Sequence, residues 1–250
     1  MDMNATDQTG QADQTGRTGP TERALSRREA SDAAGDQGWR YVLRSLRASV
    51  PVASLAQAAD VAARAVAVCG GDADGHLSVD LRPDRVVLTL QDSGRVTVTG
   101  RDAELAHRIS AEARRAGLRT DPGIGGGAPR SVQILEIAID ALDIPSVRPF
   151  WKAALGYVPE PGDEGPAGAL IDPVGQGPAV WFQQMDGPRP QRNRIHIDIT
   201  VPHDEAPRRI EVALAAGGRL LSDAEAPAFW VLADPEGNEA CISTWQGRDG

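Results

Sequence analysis

Lysine is all but missing from this chain: Lys152 is the only one, and the remaining basic residues are arginine. Cysteine is nearly as scarce, with only Cys69 and Cys241 in 250 residues, too few for a disulfide framework. No apolar run approaches the roughly 20 residues needed to cross a bilayer. The opening "MDMNATDQTGQADQTGRTG" has neither the basic start nor the apolar segment of a secretory signal. These absences predict a cytoplasmic protein without a membrane partner. The formal charge of −9 argues further against nucleic acid as a partner. Abundant Ala, Gly, Pro and Arg look like the codon bias of a GC-rich genome.

Composition breaks the chain in two places. Residues 1–24 are Thr, Gln, Gly and Asp with a repeated "QTG", which cannot bury enough apolar surface to offset ordering entropy, so a disordered tail is expected. Gly and Pro crowd "RTDPGIGGGAPRS", residues 119–131, which reads as a linker. Its "GIGGG" lacks the Lys-Ser/Thr ending and the helix that a phosphate loop needs. Domains are therefore expected over 25–118 and 132–246.

In the first, "GWRYVLRSLRASV" places Trp39, Val42, Leu43 and Leu46 at helical spacing. "SLAQAADVAARAVAVCGG" predicts a second helix, capped by Ser54 and stopped at Gly70-Gly71. Strands "HLSVDL" and "DRVVLTLQ", a short extended "RVTVTG" and a helix ending at Gly117 follow. The order implies an α+β domain with an antiparallel sheet. The second domain runs strand, helix, strands, and then begins again at "RIHIDITV", so it contains an internal structural repeat.

Side chains two apart in a strand share a face. Leu135, Ile137 and Ile139 leave Glu136 on the other side; Ile195, Ile197 and Ile199 leave His196 and Asp198; Ala240 and Ile242 leave Glu239, Cys241 and Ser243. If both repeats curl around one hollow, Glu136, His196 and Glu239 converge there. Two carboxylates and an imidazole suit a divalent cation such as Zn, Mn, Fe or Ni. A carboxylate at the metal could double as a general base, which makes Glu136 and Glu239 catalytic candidates. Asp198 is expected to be a structural or substrate-side partner, and Trp181, Trp230 and Phe229 are candidate apolar walls. His203, in the turn "VPHDEAP", is expected at the surface.

The pieces "FWKAALGY", "NRIHIDITV" and "VLADPEGNEACIS" resemble the glyoxalase-like branch of the vicinal oxygen chelate superfamily over residues 132–245. The resemblance implies paired βαβββ repeats forming an open eight-stranded barrel. It also implies ligands from the first and fourth strands of each repeat: Glu136 and Gln183, then His196 and Glu239. Some members of that superfamily bind small molecules without metal.

Residues 25–118 resemble the pterin-4a-carbinolamine dehydratases, an α/β sandwich with an antiparallel sheet, running from "GWRYVLRSLRASVPVASLAQAADVAARAV" through "GHLSVDLRPDRVVLTLQDSGRVTVTGRDAELAHRI". Where that family carries His-His-Pro, this chain reads Gly75-His76-Leu77, and its Thr-His pair is Asp92-Ser93. One imidazole remains, His76, with pterin as the implied ligand and Asp92 as a conceivable substitute acid. The readings that follow are a metal-dependent lyase, isomerase or dioxygenase of a small oxygenated metabolite; a dehydratase that recycles tetrahydrobiopterin through His76; and a metal-free small-molecule binding or resistance module. Both resembled families commonly assemble as dimers or larger, so a homo-oligomer is expected.

Overall fold

The computed structural model describes residues 22–123, 131–188 and 195–247. Most of the expected tail, residues 1–21, and the linker segment 124–130 lie outside the described residues. The chain divides into two compact units at Val132/Gln133, with Gly94–Val96 counting with the second. Among the described residues, no helix is long and apolar enough to cross a membrane.

The first unit opens with helix α1 (Arg27–Ala34), whose start is a reciprocal cap. Ser26 N donates to Glu29 Oε2 at 2.8 Å, and Glu29 N donates to Ser26 Oγ at 3.3 Å. Arg23 and this cap hold the exposed Glu29 carboxyl down at about 2. The helix expected from Trp39 to Leu46 is instead a hairpin of β1 (Arg40–Val42) and β2 (Ser45–Pro51). Leu46, Ala48 and Val50 are fully buried at period two, and this burial overrides the helical spacing. Leu43 and Arg44 make the turn with φ of 39° and 60°, the positive values that a tight hairpin needs.

Helix α2 (Leu55–Cys69) follows, with Ser54 Oγ accepting from Gln57 N at 3.2 Å and Gly70 ending it at φ 61°. Short α3 (Ala73–His76) leads into β3 (Leu77–Arg82) and β4 (Arg85–Leu90), and α4 spans Gly100–Arg115. The sheet order is β1-β2-β4-β3, antiparallel throughout. Val86, Leu88 and Leu90 join Leu46 and Val50 against Val61, Leu105 and Ile109 of the helices. The third extended piece expected at "RVTVTG" forms only isolated bridges, Asp92 with Thr97 and Ala24 with Thr99. Part of the expected linker is pinned instead: Asp121 N donates to Ser49 O at 2.7 Å, and Ser49 N donates to Asp121 O at 2.9 Å. Gly38, at φ 83°, is required here, since a Cβ would sit 2.2 Å from Thr120 O.

The second unit holds the repeat. Its first module is β5 (Glu136–Ala141), α5 (Ile144–Leu155), β6 (Val158–Pro159), β7 (Leu170–Ile171) and β8 (Ala179–Gln184). Its second is β9 (Ile197–Thr200), α6 (Ala206–Ala215), β10 (Arg219–Ser222), β11 (Phe229–Ala233) and β12 (Glu239–Ser243). The sheet orders, β5-β8-β7-β6 and β9-β12-β11-β10, match strand for strand. In each, the first strand pairs parallel with the fourth and becomes a sheet edge. The expected barrel is thus present as two four-stranded sheets with no strand pairing between them among the described residues. One core serves both modules: Val147, Phe150 and Trp151 of α5 cluster with Ala213, Leu232, Ala240 and Ile242. α5 stops at Gly156 (φ 72°), as the sequence predicts. Gly218 lies so close that a Cβ would come 2.5 Å from the Phe150 ring.

Two tests follow from the first unit. Asp102 is fully buried, and its Oδ2 accepts from Thr99 N and Thr99 Oγ1 at 2.7 and 2.8 Å, while His76 Nδ1 lies 2.8 Å from Oδ1. Losing a helix cap costs about 1 kcal/mol, and leaving the half-buried His76 imidazole unpartnered adds on the order of 1 kcal/mol. Urea denaturation of Asp102→Ala should therefore show a loss of about 2 kcal/mol or more. Burial pushes the Cys69 thiol up to about 11. Between its ordinary range and that value the unfolded chain releases a proton that the folded chain keeps, so stability falls as pH rises. From about pH 8 to about pH 10.5, wild type should lose on the order of 2 kcal/mol more than Cys69→Ala.

Candidate metal and substrate site

The parallel register of β9 and β12 sets Asp198 beside Cys241 and Thr200 beside Ser243, with Ile197 and Ile199 beside Ala240 and Ile242 on the core face. One step back along both chains, His196 precedes Ile197 and Glu239 precedes Ala240, so alternation gives them the same face. Four chemically active side chains thus form a two-by-two patch on the face turned away from the core.

Three of them meet. His196 Nδ1 is 3.0 Å from Asp198 Oδ1 and 3.7 Å from Cys241 Sγ, and the three donor atoms all lie within 4.8 Å of one another. Among the described residues this is the one such group of three His, Cys, Asp or Glu donors. Cys241 is buried, whereas His196 and Asp198 are exposed. A nucleophile relay uses the two ring nitrogens of histidine separately, one toward the nucleophile and one toward the acid. Here sulfur and carboxylate both address Nδ1, which is how donors gather around a common point. With Zn–N of about 2.0 Å and Zn–S of about 2.3 Å, donors at tetrahedral corners lie roughly 3.3–3.6 Å apart. The observed spacings are close to that, so the residues present fit a divalent cation.

A cavity of about 360 Å³ opens near the rim of the patch; Glu239 lines it, whereas His196, Asp198 and Cys241 do not. Ile137, Ile139 and Asp140 of β5 line it with Ile195 and Ile197 on the β9 side and Glu239 at the start of β12. It lies at the two edge strands, with apolar walls and few polar groups, as small-molecule sites commonly do.

The loop "DPEGN" between β11 and β12 fixes this rim. Asp234, fully buried, accepts from Glu236 N and Asn238 N on Oδ1, both at 2.9 Å. Its Oδ2 accepts from Asn238 Nδ2 at 2.7 Å and from Trp151 Nε1 at 3.0 Å. Glu236 reaches the other module and accepts from Leu142 N at 2.8 Å and Asp143 N at 2.6 Å, at the start of α5. At the far end of that helix, Arg209 of α6 donates to Ala154 O at 3.1 Å. The second module therefore sets an anion at the N-terminus of α5 and a cation at its C-terminus, matching the helix dipole at both ends.

The expected site residues separate on this frame. His196 and Glu239 share a face by alternation. Glu136 and Gln183 are exposed on β5 and β8, on the face away from the core, and Glu136 belongs to no group of three donors among the described residues. Asp198, expected to be structural or substrate-side, lies among the donors. Trp181 is 39% exposed on β8, opposite Ala138, and does not line the cavity. Trp230, a candidate wall for which core packing is an equal alternative, pairs with Ile242 and packs on the core, while Phe229 takes the other face with Ser243. Both faces of "FWVLA" are apolar, so alternation could not choose between them. His203 is exposed and accepts from Trp245 Nε1 at 3.3 Å. In the first unit, Gln91 N donates to His76 O and Ser93 N donates to Gly75 O, both at 2.9 Å, so the Gly75-His76 and Asp92-Ser93 stretches are neighbours.

Residues 136–243 match the family model described as a glyoxalase-like domain. That stretch is a glyoxalase-like domain. Among solved structures, the chain is similar to a glyoxalase/bleomycin resistance protein/dioxygenase family enzyme from Burkholderia phytofirmans, with 19% identity over 44% of this chain and 95% of that one and a TM-score of 0.34. It is also similar to a glyoxalase-related enzyme from Fulvimarina pelagi, with 22% identity over 45% and 87% and a TM-score of 0.35. A transcriptional coactivator/pterin dehydratase from Brucella melitensis matches at 22% identity over 36% and 98%, with a TM-score of 0.33. No curated protein matches the chain.

In the glyoxalase-like domain the buried Asp234 carboxylate holds Trp151 and the loop before Glu239. Removing it should destabilise the domain by about 3 kcal/mol or more, since partners of a buried charge are stranded. Denaturation of Asp234→Ala, followed by tryptophan fluorescence, checks this.

Proposed function

We propose that the glyoxalase-like domain is a metal-dependent enzyme of the lyase, isomerase or dioxygenase type, acting on a small oxygenated metabolite. The observation that carries the reading is the cluster of His196, Asp198 and Cys241 donors, in a domain whose cavity of about 360 Å³ has Glu239 in its lining. When bound at His196, a divalent cation supplies Lewis-acid polarisation of neighbouring substrate oxygens. Ile137, Ile139 and Ile197 line the cavity at Glu239, on the face of the sheet opposite His196, and offer apolar contact to a carbon skeleton there. Glu239, half-buried at the rim, takes a proton from carbon beside the polarised oxygens and returns it. Elemental analysis after exposure to zinc, manganese, iron and nickel should find about one metal per chain, lost in His196→Ala. Acetohydroxamate, a probe with two neighbouring oxygens, should bind the loaded protein and not the stripped one. A chain that takes up none of these metals ends the proposal.

An alternative reading rests on His76, whose imidazole is paired with buried Asp102 beside the Asp92-Ser93 stretch. In this reading the first unit dehydrates a pterin carbinolamine, His76→Ala abolishes turnover, and chelators leave it unchanged. Carbinolamine dehydration at the uncatalysed rate by the wild-type chain would remove it.

A further inference from the structure

The metal reading above leaves the ligand set open beyond His196, and the geometry closes it differently from the expected carboxylates. We propose that Cys241 is a thiolate ligand, so that the site is a mixed nitrogen, oxygen and sulfur centre of His196, Asp198 and Cys241 that selects zinc over manganese. This inference rests on the cation site proposed for the domain and sharpens it.

Three observations converge. Cys241, buried at 7% exposure, belongs to the face opposite the helix-side core cluster, between Glu239 and Ser243, while its neighbours Ala240 and Ile242 supply that cluster's packing. Its sulfur, His196 Nδ1 and Asp198 Oδ1 all lie within 4.8 Å of one another, with sulfur and carboxylate both directed at the same ring nitrogen, so the imidazole cannot relay a proton between them. The His196–Asp198 pair is 52% and 61% exposed on its side chains, and such pairs add little stability by themselves. Three donors of these kinds suffice for a catalytic zinc, which keeps a fourth position open for water or substrate. Sulfur and imidazole favour zinc, whereas manganese prefers all-oxygen surroundings.

Cobalt(II) reports the ligand directly, because thiolate coordination gives an intense charge-transfer band in the near ultraviolet. Titrating the full chain should show that band saturating at about one cobalt per chain. The band should persist in Cys69→Ala, whose thiol is buried in the other unit, and vanish in Cys241→Ser. Zinc should displace the cobalt, and manganese should not, even in at least tenfold excess. In Cys241→Ser the preference for zinc over manganese should shrink by at least tenfold. Stoichiometric cobalt binding to wild type without the band overturns the thiolate assignment and leaves the His196 cation site standing. No binding of cobalt or zinc overturns both. Because the band is read on wild type, poor folding of Cys241→Ser does not blunt the test.

Discussion

A single buried carboxylate, Asp234, organises the second unit. Isolating a charge from water is unfavourable unless its lone pairs are filled, and Asp234 fills them with two backbone amides, an Asn238 side chain and the Trp151 indole. Those four donors come from the loop before β12 and from α5 of the other module. The same contact therefore shapes a turn, orients a core tryptophan and ties two sequence repeats together. Glu236 and Arg209 extend the tie to both ends of α5. With the shared core of Phe150, Trp151, Leu232 and Ile242, neither module completes its packing alone.

Much of this was written locally. In β5, β9 and β12 one face is strongly apolar, so period-two reading assigned His196, Asp198, Glu239 and Cys241 to the opposite side. Helix α5 and its stop at Gly156 were equally plain. Failures occurred where local signals were degenerate. Trp39, Val42, Leu43 and Leu46 satisfy helical spacing, yet the sheet buries Leu46, Ala48 and Val50. Helix α1 went unread although its capping pair, Ser26 and Glu29, stood three residues apart as the signature requires.

The site itself was half legible. Which residues share a face follows from alternation; which of them are side by side follows from strand register. Cys241 meets Asp198 because β12 pairs with β9 across 43 positions, and nothing near either residue announces that. Glu136 looked equivalent to His196 by its place in the repeat, but its strand edges a separate sheet. Nothing local marks Asp234, because its partner Trp151 lies 83 positions away.

The two-residue rhythm of β12 has an evolutionary edge. Between β11 and the donors runs the short "DPEGN" loop, and a single-residue deletion there would shift β12 by one. Ala240 or Ile242 would then point at His196, and Cys241 would be driven among the leucines. One lesion would blind the centre and foul the packing together. Any change in that loop's length would thus strike both functions of the strand at once.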